Sequence, residues 1–203
     1  LECKRGLVRS RGDFMKPCRT WMTVLVVLFA SSTLAAGELV LYGGAQKPGK
    51  LTWSEATDAP DDLLDGEYGE TMGLRLSAGR VFGFEQNISI TPHFAKSGVR
   101  AFQTDSNLLL QAPGKVVPYL TAGMGMIRTW GQEMDPEMDP ADIAAFAFNL
   151  GTKFTLNYGG GIKFRRLLGP IGLNVDVRGY TIPDARDDTL HIIQTSAGLV
   201  ITW

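Results

Sequence analysis

Phe154-Thr-Leu-Asn-Tyr-Gly-Gly-Gly-Ile-Lys-Phe164 and, after a short turn, Ile171-Gly-Leu-Asn-Val-Asp-Val-Arg-Gly-Tyr180 decide the fold. In the first half Phe154, Leu156, Tyr158, Ile162 and Phe164 share one parity, while Thr155, Asn157, Gly159, Gly161 and Lys163 share the other. In the second, Ile171, Leu173, Val175 and Val177 alternate with Gly172, Asn174, Asp176 and Arg178. A period of two over both runs predicts a β-hairpin with one apolar and one polar face. Alternation alone leaves two settings open. In a soluble sheet the apolar face is the core, whereas in a membrane barrel it meets lipid and the charges line the interior.

Outward from the hairpin, further alternating runs recur at Glu38–Gln46, Thr71–Gly79, Phe82–Thr91, Ser106–Gln111, Val116–Arg128 and His191–Trp203, making eight in all. The first is blurred by Leu39-Val-Leu-Tyr42, and Gln86 is the one polar residue on the apolar parity of the third. Connections near Lys47–Glu70, Phe94–Asp105, Trp130–Lys153 and Thr181–Leu190 read as long; those near Gly79–Phe82, Ala112–Lys115 and Arg165–Pro170 read as short. Long and short alternate, so antiparallel strands would place every long loop at one end and every tight turn, with both termini, at the other.

Residues 1–35 read as upstream sequence followed by a secretory signal peptide. Met15-Lys-Pro-Cys-Arg19 is a basic flank, Trp21–Ala30 an apolar run and Ser31–Ala36 a small-residue tail, with Met15 the expected initiator. Cleavage after Ala35 is expected, with Gly37 as the second option, leaving 36–203 as the mature domain. The apolar run is about half of the ~20 residues that a spanning helix needs. Cys3 and Cys18 both precede the cleavage site, so the mature chain is expected to carry no disulfide. A formal charge of -1 over 203 residues, with no basic patch or motif, argues against nucleic-acid binding.

A secreted soluble barrel needs bulky apolar side chains inside and polar ones outside. Here the polar parity is rich in glycine, as among the chain's 24, with scattered charges. That suits a narrow interior in which Gly159 and Gly161 leave room for Asp176 and Arg178 across the hairpin. The balance favours an all-β, eight-stranded, antiparallel up-and-down transmembrane β-barrel.

The hairpin motif, with Pro118-Tyr-Leu-Thr-Ala-Gly-Met-Gly125 upstream and a terminal aromatic at Trp203, resembles the bacterial outer-membrane β-barrel domain family, of the OmpA transmembrane-domain-like and OmpX-like kind. The resemblance covers about residues 36–203. It implies location in the bacterial outer membrane, lipid and lipopolysaccharide as surroundings, and delivery to the barrel assembly machinery through the strand ending at Trp203. It implies a structural, adhesive or surface-binding role, with a small porin or gated channel as the alternative. The sequence stops at Trp203, so the peptidoglycan-binding domain of OmpA-like chains is not expected here.

Arg75, Glu85, Lys163, Asp176 and Arg178 have the interior parity and are read as a lumen ion network. An eight-stranded interior is just wide enough for side chains to fill, so a packed plug is favoured over an ion pathway. A second candidate set lies on the acidic loops, where Asp58, Asp61, Asp62, Glu133, Asp135, Glu137 and Asp139 could collect hard divalent cations beside lipopolysaccharide phosphates. No resident metal, cofactor or catalytic residue is expected, since the histidines are His93 and His191 and no phosphate-loop glycine pattern occurs. A lipid hydrolase is the remaining alternative. Some small outer-membrane barrels, such as the lipid A deacylase PagL, cleave lipid, and His191 with Thr189 or Thr195 is the only nucleophile–base arrangement available, without the His-x-Ser-Asn pattern of that family.

Overall fold

Eight alternating runs pair edge to edge until the last meets the first. They are β1 (Gly37–Pro48), β2 (Gly69–Gly79), β3 (Phe82–Thr91), β4 (Arg100–Gln111), β5 (Val116–Trp130), β6 (Thr152–Leu168), β7 (Ile171–Ala185) and β8 (Asp188–Thr202). The computed structural model describes residues 37–49, 67–95, 98–131, 149–185 and 188–203. All neighbours are antiparallel, and β1 pairs with β8 from Glu38↔Thr202 to Pro48↔Ile192, closing the barrel and leaving no edge strand. The signal-peptide region and the acidic-loop candidates Asp58, Asp61, Asp62, Glu133, Asp135, Glu137 and Asp139 lie outside the described residues.

The hydrophobic pattern is inverted relative to a soluble protein. Leu108 is 71% exposed and Ile193 62%, while Arg178 is 0% and Arg75 1% exposed. Large apolar side chains cover the outer wall on every strand and charged ones fill the inside. That is the arrangement for a barrel whose solvent is lipid. Gln86, polar on that wall, has its needs met locally. Its Nε2 donates to Thr104 Oγ1 at 3.0 Å and its Oε1 accepts from Ser106 Oγ at 2.7 Å, so no unsatisfied amide faces hydrocarbon.

Two glycines set how closely the hairpin strands can carry their bulky interior partners. Gly159 pairs with Arg178 and Gly161 with Asp176. A Cβ at Gly161 would fall 2.5 Å from Asp176 Cβ and 2.3 Å from the Val175 carbonyl; one at Gly159 would fall 2.9 Å from Arg178 Cγ. The space the sequence assigns to these charges is therefore space that only hydrogen leaves free.

The connection Thr181–Leu190 departs from expectation, because both strands continue through it. β7 reaches Ala185 and β8 begins at Asp188. Inward Ile182, Ala185 and Leu190 are fully buried, so apolar packing carries the ladder on, and exposed Pro183 sits at a register shift where the ladder is already interrupted. Likewise β4 starts at Arg100, well before Ser106. β6 runs on past Phe164 to Leu168 through a register shift, with Arg166 at φ 55°, and the turn itself reduces to Gly169-Pro170. The connections on the loop end are thus unequal, the last being a tight one. We expect Gly161→Val to lower stability in detergent by about 1–3 kcal/mol, the usual cost of overpacking. Urea unfolding read by the migration shift between folded and boiled forms measures it, with Ala122→Val on the outer wall as the control that should change little.

Candidate functional site: the lumen

Strand pleating aims alternate side chains of all eight strands at one axis, where four of the five predicted ionisable residues, Arg75, Glu85, Asp176 and Arg178, meet directly and Lys163 stands apart. Asp176 on β7 is the hub. Its Oδ2 accepts from Arg75 Nη1 at 2.6 Å, Tyr119 Oη at 2.8 Å and Arg178 Nε at 3.0 Å, and its Oδ1 accepts from Ser196 Oγ. Arg75 Nη2 also donates to Ser196 Oγ at 3.0 Å, and its guanidinium lies 3.8 Å from the Tyr42 ring centroid. Arg178 forks onto Glu85, Nη1 to Oε1 at 2.6 Å and Nη2 to Oε2 at 3.2 Å, and Asn107 Nδ2 adds a bond at 3.1 Å. These groups are buried, so each charge depends on its partner in place of water.

Lys163 belongs to a separate cluster nearer the tight-turn end. Its Nζ donates to Glu38 Oε2 at 2.8 Å and to Ser77 Oγ at 3.4 Å, and lies 4.9 Å from the Tyr119 ring centroid. Arg165 also bonds Glu38 through Nε, and reaches Gln111 Oε1 at 3.1 Å through Nη2. Tyr119 stands between the two clusters, its ring beside Lys163 and its hydroxyl on Asp176.

Glu38, Arg165 and Asp105 were not among the predicted residues. Glu38 opens a strand whose parity is masked because inward Val40 and Tyr42 are as apolar as outward Leu39 and Leu41. Arg165 fell in a presumed turn, and Asp105 in a presumed loop. Asp105 accepts from Asn87 at 2.9 Å, Gln103 at 3.0 Å and Thr155 at 3.3 Å, a carboxylate held by neutral donors. The readable signal was Gln103, Asp105 and Asn107, every second residue polar.

The loop end of the lumen adds apolar side chains to the buried polar Gln46, Thr71, Thr91 and Thr129. Phe94, Val99, Ile127, Leu150, Ile182 and Leu190 belong to a buried apolar cluster above the charges. Phe94 and Val99 come from the β3–β4 connection, which folds inward under a Phe94 N–H to Val99 carbonyl bond of 2.8 Å and the bridge Glu67↔Ala95. Two ionic clusters and an apolar one therefore follow each other along the bore.

On the outer wall, Thr181, opposite His191 on β7 and not one of the two threonines expected, stands with Oγ1 3.1 Å from His191 Nδ1. Among the described residues no three His, Cys, Asp or Glu side chains converge as a metal ion would need.

No protein-family model matches the chain, and no curated protein matches it. Among solved structures, Neisserial surface protein A (NspA) matches with a TM-score of 0.61 at 12% identity, covering 83% of this chain and 99% of that one. OprG from Pseudomonas aeruginosa matches at 0.48 and 11% identity over 83% and 96% of the two chains, and the outer membrane enzyme PagL at 0.46 and 16% over 81% and 98%. At such identities the likeness is one of fold, and NspA carries it.

Because Asp176 is the carboxylate that answers Arg75, while Arg178 also has Glu85, we expect Asp176→Ala to cost roughly 3–5 kcal/mol, the penalty for leaving buried charge unpaired. Arg75→Met with Asp176→Leu should recover part of that loss by removing both sides of the pair. Chemical unfolding in the same detergent compares the three proteins.

Proposed function

Given the OmpA/OmpX-like outer-membrane barrel fold, we propose that this chain is a structural or surface-binding barrel of the bacterial outer membrane whose lumen is closed. The observation that carries the reading is the filled bore. Arg75, Arg178, Asp176 and Glu85 satisfy one another across it, and the apolar cap blocks the loop end. An ion pathway would need charges free to face water; these are buried and mutually bound. The hydroxyls that meet carboxylates there, Ser196 on Asp176 and Thr155 on Asp105, are buried among the bonds that tie the strands together, which supports a structural role for the polar interior. The acidic loops, with Asp58, Asp61, Asp62, Glu133, Asp135, Glu137 and Asp139, give the reading its outward side, as collectors of divalent cations or ligands at the surface.

Planar bilayers containing the purified protein should show no steady large conductance. Stable ohmic channels in the wild-type protein would replace this reading with the porin one.

A second reading rests on the Thr181–His191 contact, a hydroxyl against an imidazole on the lipid-facing wall. It has the first two parts of an activated nucleophile; an orienting carboxylate would be the third. Incubation with lipid A and with phospholipid should release no fatty acid above a His191→Ala control. Acyl loss that disappears in that variant would make the chain a hydrolase.

A further inference from the structure

We propose that the outer wall at the loop end of β4 and β5 carries a binding site for the phosphate headgroup of an outer-leaflet glycolipid. An open cleft of about 390 Å³ lies there, lined by Phe102, Arg128 and Trp130. Strand register adds a fourth side chain. Arg100 is paired with Trp130 and Phe102 with Arg128, and all four point outward. Cations and aromatics therefore form a two-by-two checkerboard with the arginines on one diagonal, where side chains of an antiparallel pair start about 7–8 Å apart. Two guanidiniums at that spacing can both turn onto one phosphate, and the fork geometry of arginine suits phosphate oxygens. Among the described residues neither Arg100 nor Arg128 makes an ion pair, unlike the cations of the lumen.

Depth selects the ligand. Phe82 and its partner Leu110 mark the tight-turn rim of the apolar wall, and Phe102 lies eight residues up β4 from Leu110. At about 3.4 Å per residue and a tilt near 40°, that is a height of about 21 Å, against a lipid-facing band of about 25 Å. The two rows of the checkerboard thus straddle the upper edge of the hydrocarbon. An arginine at mid-membrane costs about 2–4 kcal/mol and one at the interface about 0–1, so these cations sit where charge is tolerated and where headgroup phosphates lie. Trp130 and Phe102 are placed as interfacial aromatics are, against the first carbons of a chain. A free phosphate would use the arginines and leave both rings bare. A lipid uses all four.

This inference rests on the outer-membrane reading, and the experiment separates the two. Wild-type protein, Arg100→Gln/Arg128→Gln and Arg100→Lys/Arg128→Lys are each incorporated into phosphatidylcholine vesicles with a few mole per cent of lipid A, then extracted in mild detergent. Lipid retained per barrel is counted by native mass spectrometry, with and without millimolar inorganic phosphate. We expect the wild type to retain lipid A over phosphatidylcholine, the glutamine variant to lose about tenfold of that preference, corresponding to about 1.4 kcal/mol, the lysine variant to keep part of it, and inorganic phosphate to displace little. Equal retention by wild type and glutamine variant would overturn the site, as would full displacement by inorganic phosphate. Folded migration in neutral vesicles reports insertion separately. Insertion without headgroup preference sinks the site alone, whereas failure to insert sinks the membrane reading beneath it.

Discussion

Asp176 accepts hydrogen bonds from side chains on four strands: Arg75 on β2, Tyr119 on β5, Arg178 on its own β7 and Ser196 on β8. It thereby ties β2, β5, β7 and β8 together through one carboxylate. Backbone ladders fix each strand only to its neighbours, whereas this carboxylate holds opposite sides of the barrel at a set distance. The consequence is chemical as well as mechanical. Charges that would be prohibitive against lipid are tolerated in the bore because each arrives with a partner.

Two different kinds of contact follow each other along the axis. Near the tight turns, Glu38 gathers Lys163 and Arg165; in the middle, Asp176 and Glu85 hold the two arginines; near the loops, Phe94 and Val99 meet inward isoleucines and leucines. The ionic layers depend on bond geometry and the cap on apolar contact. A change that loosens one leaves the other in place, which favours a closed state over a switch between two. The outer wall has its own division of labour. Its middle is apolar with one self-satisfied polar cluster at Gln86, and its loop-end margin carries arginine beside aromatic residues.

Much of this was legible in the chain. Strict alternation from Phe154 to Tyr180 identified the hairpin, its inward parity and the glycines that accommodate Asp176 and Arg178, since a period of two assigns faces without knowledge of partners. What alternation could not show was who pairs with whom. Lys163 shares a parity with Asp176 yet serves Glu38, because pairing across a barrel depends on register and tilt. Glu38 was hidden by inward Val40 and Tyr42, whose apolar character serves packing and a 2.8 Å bond from Tyr42 Oη to Asn87, and so looks like the lipid face. The segment Thr181–Leu190 was misread because Pro183 and its acidic neighbours imitate a loop. Ile182 and Leu190 inside the apolar cap outweigh that local signal and extend the sheet.

All of this requires that one parity of each strand faces lipid and the other a sealed interior. The chain has no cysteine beyond Cys18, so single cysteines can be introduced and spin-labelled one at a time along the outer wall. Labels at Leu173, Val175, Val177 and Ile193, in protein reconstituted into bilayers, should be relaxed strongly by oxygen, which partitions into lipid, and weakly by a water-soluble nickel chelate. Strong relaxation by the chelate at Val175 and Val177, with little effect of oxygen, would mean that the apolar wall faces water and would contradict the account at its base.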